Sequence, residues 1–191
     1  MSDAKSREKT GHGLDHWFAV LDRFGAIEKG HTATARYLVD AHKVGGWYAQ
    51  GITVTYERAR GVRALNQRVD GVFEVSISKV LAADMATVIK AFTDARRRRQ
   101  WIAGVEAQLA KALTLALADK ASKGFVVRPD GLARFRYKWD GTTVQFYLSP
   151  KTGGKVSLVV QHTKLPNVSS VNQRRPQWKE AFTALAEYLA R

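Results

Sequence analysis

The sequence predicts an α+β chain: a small three-helix module, then one strand, two short helices, several antiparallel strands and a long closing helix. Three observations lead there. Before residue 70, apolar side chains recur at i, i+3, i+4 and i+7, the spacing of amphipathic helices. At Val72 the period drops to two, as in a half-buried strand. Further on, two alternating runs flank Asp140-Gly141, a strong hairpin signal, and a last helical stripe runs through Trp178, Ala181, Phe182, Leu185 and Leu189.

Each element has its own signal. Residues 1–12 are polar, charged and without periodicity, and read as a disordered tail. Leu14, Trp17, Phe18 and Leu21 form the first stripe, which Gly25 ends. Thr34, Tyr37, Leu38 and Ala41 form the second, capped by Thr32 and stopped by Gly45-Gly46. Trp47 to Arg60 alternates in part, yet Tyr48, Ile52, Tyr56 and Ala59 and the segment's length favour a helix closed by Gly61. The module therefore spans 13–70. In the second unit, 72–191, Phe73, Val75 and Ile77 point one way from a strand. Asp84 caps a helix carrying Met85, Val88, Ile89 and Phe92, and Asp94 caps a shorter one through Arg96–Arg99 to Trp101. Lys111 to Asp119 is evenly balanced: its Ala and Leu content favours helix, while Leu113, Leu115 and Leu117 alternate like a strand. Phe135, Tyr137 and Trp139 alternate with Arg134, Arg136 and Lys138, and Val144, Phe146 and Leu148 answer across the turn. Gly153-Gly154 turns the chain again, towards Val156, Leu158, Val160 and His162.

Composition narrows the function classes. The 191 residues contain 45% hydrophobic side chains, enough for a core, and no Cys, which excludes a disulfide framework, a thiol nucleophile and a Cys-type metal site. No apolar run reaches the 18 or so residues of a membrane span, and the polar start lacks a signal peptide's apolar stretch, so a cytoplasmic location is expected. Net charge is +14, of which +11 lies after Asp70. Such a balance favours anionic partners, although dispersed charge also serves solubility.

The residues Phe73-Glu74-Val75-Ser76 leading to Asp84, Trp101, Tyr137-Lys138-Trp139-Asp140-Gly141-Thr142, Gln161-His162-Thr163-Lys164-Leu165-Pro166 and Trp178 together resemble the START-related SRPBCC superfamily. The resemblance covers 72–191 and lies in the branch similar to the activator of heat-shock-protein-90 ATPase and to polyketide cyclases. It implies a helix-grip fold, a curved antiparallel sheet around the last helix, and it makes Lys111 to Asp119 a strand. The earlier module is similar to a short helical domain of unknown function found ahead of such domains in bacteria, through His31, Ala35-Arg36, Leu38, His42, Gly46-Trp47-Tyr48-Ala49-Gln50 and Thr53 to Arg63. Where that pattern more often has two tryptophans, this chain has Trp47-Tyr48.

Superfamily pockets hold hydrophobic small molecules, and the side chains expected to line one here are Trp101, Phe135, Tyr137, Trp139, Phe146, His162 and Trp178. Non-catalytic binding of such a molecule is the leading expectation; no cofactor is implied. The alternative is nucleic-acid binding through Arg96, Arg97, Arg98, Arg99, Arg134, Arg136 and Lys138. A cyclase- or hydrolase-like enzyme using Tyr137 and His162, or a co-chaperone with a protein partner, comes third. Inward carboxylates are not evident in the strands, which weakens a general-base mechanism. Among the histidines one i, i+4 pair, His12 and His16, stands without a third ligand, so no metal site is expected. Gly11-His12-Gly13 lacks the strand and the glycine of a dinucleotide loop, and the Asn167-Val168-Ser169 sequon would not be glycosylated in a cytoplasmic chain.

Overall fold

A computed structural model describes residues 1–119 and 124–191. The chain forms two compact units, 1–71 and 72–191.

The first unit holds four helices: α1 (Asp3–Thr10), α2 (Leu14–Phe24), α3 (Ala26–His42) and α4 (Gly46–Ala59). The first of them corrects the expected disordered tail and the count of three. It carries no apolar stripe, and polar bonds hold it instead. Ser2 caps it by accepting from the Lys5 N–H, Asp3 Oδ1 accepts from the Leu14 N–H at 2.6 Å, and buried Ser6 donates to the His12 carbonyl at 2.9 Å. Gly11, at φ 78°, turns the chain into α2. Trp17, Leu21, Leu38, Ala49, Ile52 and Tyr56 fill the core of the unit. Their polar tips are satisfied: Trp17 Nε1 donates to Thr10 Oγ1 at 2.8 Å and the Tyr56 hydroxyl to Asp22 Oδ1 at 2.7 Å.

The second unit begins with β1 (Phe73–Leu81), α5 (Met85–Thr93) and α6 (Ala95–Ile102). Asp84 accepts from the Thr87 N–H, and Asp94 from the N–H groups of Arg96 and Arg97, as their positions before the apolar stripes predict. Next comes α7 (Ala107–Ala118), which overturns the strand that the resemblance implied for Lys111 to Asp119. Propensity prevails there: the segment is Ala- and Leu-rich, Glu106 caps it through the Gln108 and Leu109 N–H groups, and its buried residues Leu109 and Leu113 are one helical turn apart. Leu115, the middle leucine of the misleading alternation, is 61% exposed.

Four more strands follow, β2 (Val126–Val127), β3 (Ala133–Trp139), β4 (Thr142–Lys151) and β5 (Lys155–Leu165), and then α8 (Val168–Leu189). The sheet is antiparallel throughout, in the order β1-β5-β4-β3-β2. The β3–β4 hairpin turns through Asp140 (φ 48°) and Gly141 (φ 73°), the left-handed pair that matches strand twist. Its register sets Phe135 against Phe146 and Tyr137 against Val144. β2 pairs with β3 only at Ala133 and Arg134, so beyond Arg134 the strand is a sheet edge among the described residues. With Trp139 opposite Thr142 next to a two-residue turn, the backbone groups of Tyr137 and Phe135 bond to β4, while those of Arg136 and Lys138 face the open edge.

Helix α8 lies on the inner face and buries Val171, Trp178, Ala181, Phe182 and Leu185. Trp178 meets the Phe146 ring edge to face, with centroids 5.5 Å apart, and Phe92 and Phe135 complete an aromatic layer around Phe146. A curved sheet that holds a long last helix in this way is the helix-grip arrangement. Among the described residues no helix is long and apolar enough to cross a membrane.

Candidate functional site

An open cleft of about 940 Å³ runs along the free edge of β3. One wall is α7, which presents Ala112, Leu115, Ala116 and Asp119 at i, i+3, i+4 and i+7, a single helical face. The other is β3 itself. Because an edge strand shows both of its faces to the cleft, the inward residues Tyr137 and Trp139 border it together with the outward Arg134, Arg136 and Lys138. The two groups of residues that the alternation separated, aromatic and cationic, therefore line one cavity.

Tyr137 is the unusual member. Its ring is buried, stacked on Phe135 at 5.5 Å, and its hydroxyl has no hydrogen-bond partner among the described residues. Burial pushes its pKa well above the ordinary phenol value, with the charge of Arg174 opposing the shift, so the group is a neutral donor. Arg134 and Arg136 are exposed, whereas Lys138 Nζ donates to Thr143 Oγ1 at 2.9 Å.

His162 is on the inner face, as its phase in β5 predicts, and it is 1% exposed. Both ring nitrogens are engaged. Trp178 Nε1 can only donate, so Nδ1 accepts at 3.2 Å; Nε2 lies 2.7 Å from Thr142 Oγ1, and Thr142 in turn donates to the Trp139 carbonyl. Burial, with the charge of Arg174 adding to it, lowers the His162 pKa to about 4 and keeps the ring neutral. This chain ties α8, β5 and the β3–β4 turn together and leaves no imidazole nitrogen free for a substrate. Trp139 stacks on the His162 ring at 5.4 Å, and the Arg174 guanidinium lies over its face at 4.0 Å.

The remaining residues expected to line a pocket are packed in the core. Trp101 donates Nε1 to the Ala91 carbonyl at 2.9 Å and meets Phe92 edge on, and Phe135, Phe146 and Trp178 lie in the aromatic layer. The arginine run is divided too. Arg96, Arg97 and Arg99 are exposed, but Arg98 is buried and donates Nη1 to the carbonyls of Phe92 and Thr93 at 2.6 and 3.3 Å, closing the end of α5. Burial lowers the Arg98 pKa, and the neighbouring Arg99 adds to that effect. Sequence reasoning missed the α7 wall, although the i, i+3, i+4 spacing of Ala112, Leu115 and Ala116 was there to be read. It also missed Thr142 and Arg174, whose roles depend on contacts across the sheet.

No family model matches the chain, and no curated protein does. Solved structures do match, among them three with TM-scores below 0.5. CalU16 from Micromonospora echinospora is 16% identical over 62% of this chain and 76% of its own, with a TM-score of 0.42. An AHSA1-like protein from Rhizobium etli is 20% identical over 63% and 84%, with a TM-score of 0.44. A conserved protein of unknown function from Enterococcus faecalis is 14% identical over 70% and 81%, with a TM-score of 0.46. By the order and pairing of its own elements, the unit at 72–191 is a helix-grip domain of the kind that the sequence resemblance implies.

Proposed function

We propose that the helix-grip unit binds a hydrophobic small molecule in the cleft between α7 and the β3 edge, without transforming it. The observation that carries this reading is the cleft itself, where one face of α7 stands opposite the aromatic and cationic side chains of the β3 edge. Ala112, Leu115, Ala116 and Val126 supply apolar wall, while Arg134 and Arg136 suit a molecule that carries an acidic group. The non-catalytic part rests on His162, whose nitrogens are committed to Trp178 and Thr142.

The test is a fluorescence titration with 8-anilinonaphthalene-1-sulfonate, an aromatic molecule bearing a sulfonate. Wild-type protein should give saturable enhancement. Leu115→Gln, on an exposed side chain, should weaken binding roughly fivefold to tenfold through lost apolar contact. Arg136→Gln should also weaken it, whereas Arg97→Gln on α6 should not. Equal affinity in wild type, Leu115→Gln and Arg136→Gln would remove the cleft from consideration.

A further inference from the structure

The strand register gives the outer face of the sheet a chemistry of its own. Phe135, Tyr137, Val144, Phe146, Val160 and His162 are buried on the inner face, so the residues between them project from the other side. Exposed Arg134, Arg136 and Lys138 form a row along β3. Across the sheet, Arg134 pairs with Tyr147 on β4 and Tyr147 with Val159 on β5, while Arg136 pairs with Gln145 and Gln145 with Gln161. Exposed Lys151 and Lys155 face each other at the β4–β5 turn. Among the described strand residues, Glu74 alone brings a carboxylate to this face, and it lies on β1, at the opposite edge from the arginines.

Three features point to a polymeric anion with flat, polar-edged groups. Successive cations on β3 are about 7 Å apart, so the row spans about 14 Å. One small anion cannot meet charges so spread, whereas a chain of regularly spaced anions can. Next, the half-buried Tyr147 stands one strand in from Arg134, about 5 Å away, and offers an aromatic face beside a guanidinium. Finally, Gln145 and Gln161 carry half-buried amides that both donate and accept, and among the described residues no hydrogen bond engages their side chains or that of Tyr147. Phosphates use the first feature, a base plane the second and a base edge the third. A duplex keeps its base planes stacked out of reach, so a sheet face carrying an aromatic ring favours a single strand.

We propose that the outer sheet face binds single-stranded nucleic acid. Its phosphates lie along Arg134, Arg136 and Lys138, one base stacks on Tyr147, and the amides of Gln145 and Gln161 meet base edges. Arg96, Arg97 and Arg99 lie on α6, outside the sheet, and take no part. This surface is distinct from the α7 wall of the cleft, although both sites include Arg134 and Arg136.

The probe is a short fluorescein-labelled single-stranded DNA of mixed sequence, titrated with the full chain and followed by anisotropy over a range of salt. Binding should be micromolar at low salt and weaken steeply as salt rises. Arg134→Gln combined with Arg136→Gln should weaken it and lower the salt slope by about 1.4, at about 0.7 per phosphate contact. Tyr147→Ala should weaken binding about tenfold at an unchanged slope, and Tyr147→Phe should keep wild-type affinity. If Tyr147→Ala unfolds early, Tyr147→Leu replaces it, keeping apolar volume without an aromatic ring. Leu115→Gln, which tests the cleft, should leave DNA affinity unchanged, so that failure of one site does not decide the other. Absence of binding at low salt, a duplex of the same sequence bound as tightly, or equal affinity of wild type and the non-aromatic variant would overturn the assignment.

Discussion

Replacing Tyr137 with Phe tests the reading of its buried hydroxyl through stability, where intuition about buried residues points the wrong way. The substitution keeps the ring and its stacking on Phe135 and Phe146 and removes only an oxygen that has no partner among the described residues. Relief of an unsatisfied buried hydroxyl is worth about 1–3 kcal/mol, and the small void left behind returns part of that gain. Unliganded Tyr137→Phe should therefore be more stable than wild type by about 1 kcal/mol, a rise of about 4 °C in Tm for a unit of this size. Thermal unfolding by circular dichroism, checked by the urea midpoint, measures the change. A variant less stable than wild type would show that the hydroxyl has a partner in the unliganded protein and would refute the argument.

Two further outcomes follow from the polar contacts inside the fold. His162 holds neutral down to about pH 4, whereas an unfolded histidine protonates near 6.5. Between those values the unfolded chain binds the extra proton, so stability falls as pH falls, by about 3 kcal/mol in all. His162→Gln should flatten this part of the urea-midpoint profile, and an unchanged slope between pH 6.5 and 4 would contradict the assignment. Arg98→Ala should cost about 2 kcal/mol by leaving the Phe92 carbonyl without its donor, while Arg97→Ala should stay within about 0.5 kcal/mol. Equal effects of the two substitutions would show the run to be uniform in its environment.

The fold was legible wherever a period or a cap stated it. Four apolar side chains from Leu14 to Leu21, the alternation at Phe73, the Asp84 and Asp94 caps and the Asp140-Gly141 turn each specify an element locally, and the structure has each of them. The resemblance went wrong at Lys111 to Asp119, where intrinsic propensity and a Glu106 cap outweighed an alternation of three leucines. The first helix escaped notice for the opposite reason: with no apolar stripe, its stability depends on Ser2, Asp3 and Ser6 finding backbone partners up to eleven residues away. The candidate cleft was half legible. Alternation identified Tyr137, Trp139, Arg134 and Arg136, but it assigned them to opposite faces and so to rival functions. It could not say that β3 would be an edge, where both faces meet one cavity. Buried Arg98 is the converse case, a charge that composition counts as surface and packing turns into a cap.

The stretch of β3 beyond Arg134, unpaired among the described residues, also bears on how copies of this protein meet. A bare strand edge is a template on which a second chain can add hydrogen bonds, and proteins discourage such pairing with charge. Here the residues whose backbone groups face outward, Arg136 and Lys138, are both cationic. Two such edges brought together would set these cations against their own counterparts across a strand spacing of under 5 Å. Repulsion of this kind is screened by salt, with a range of about 8 Å at physiological ionic strength. The charge that makes the chain so basic thus acts locally as a guard against sheet-to-sheet association, and concentrated salt is the condition under which that guard weakens.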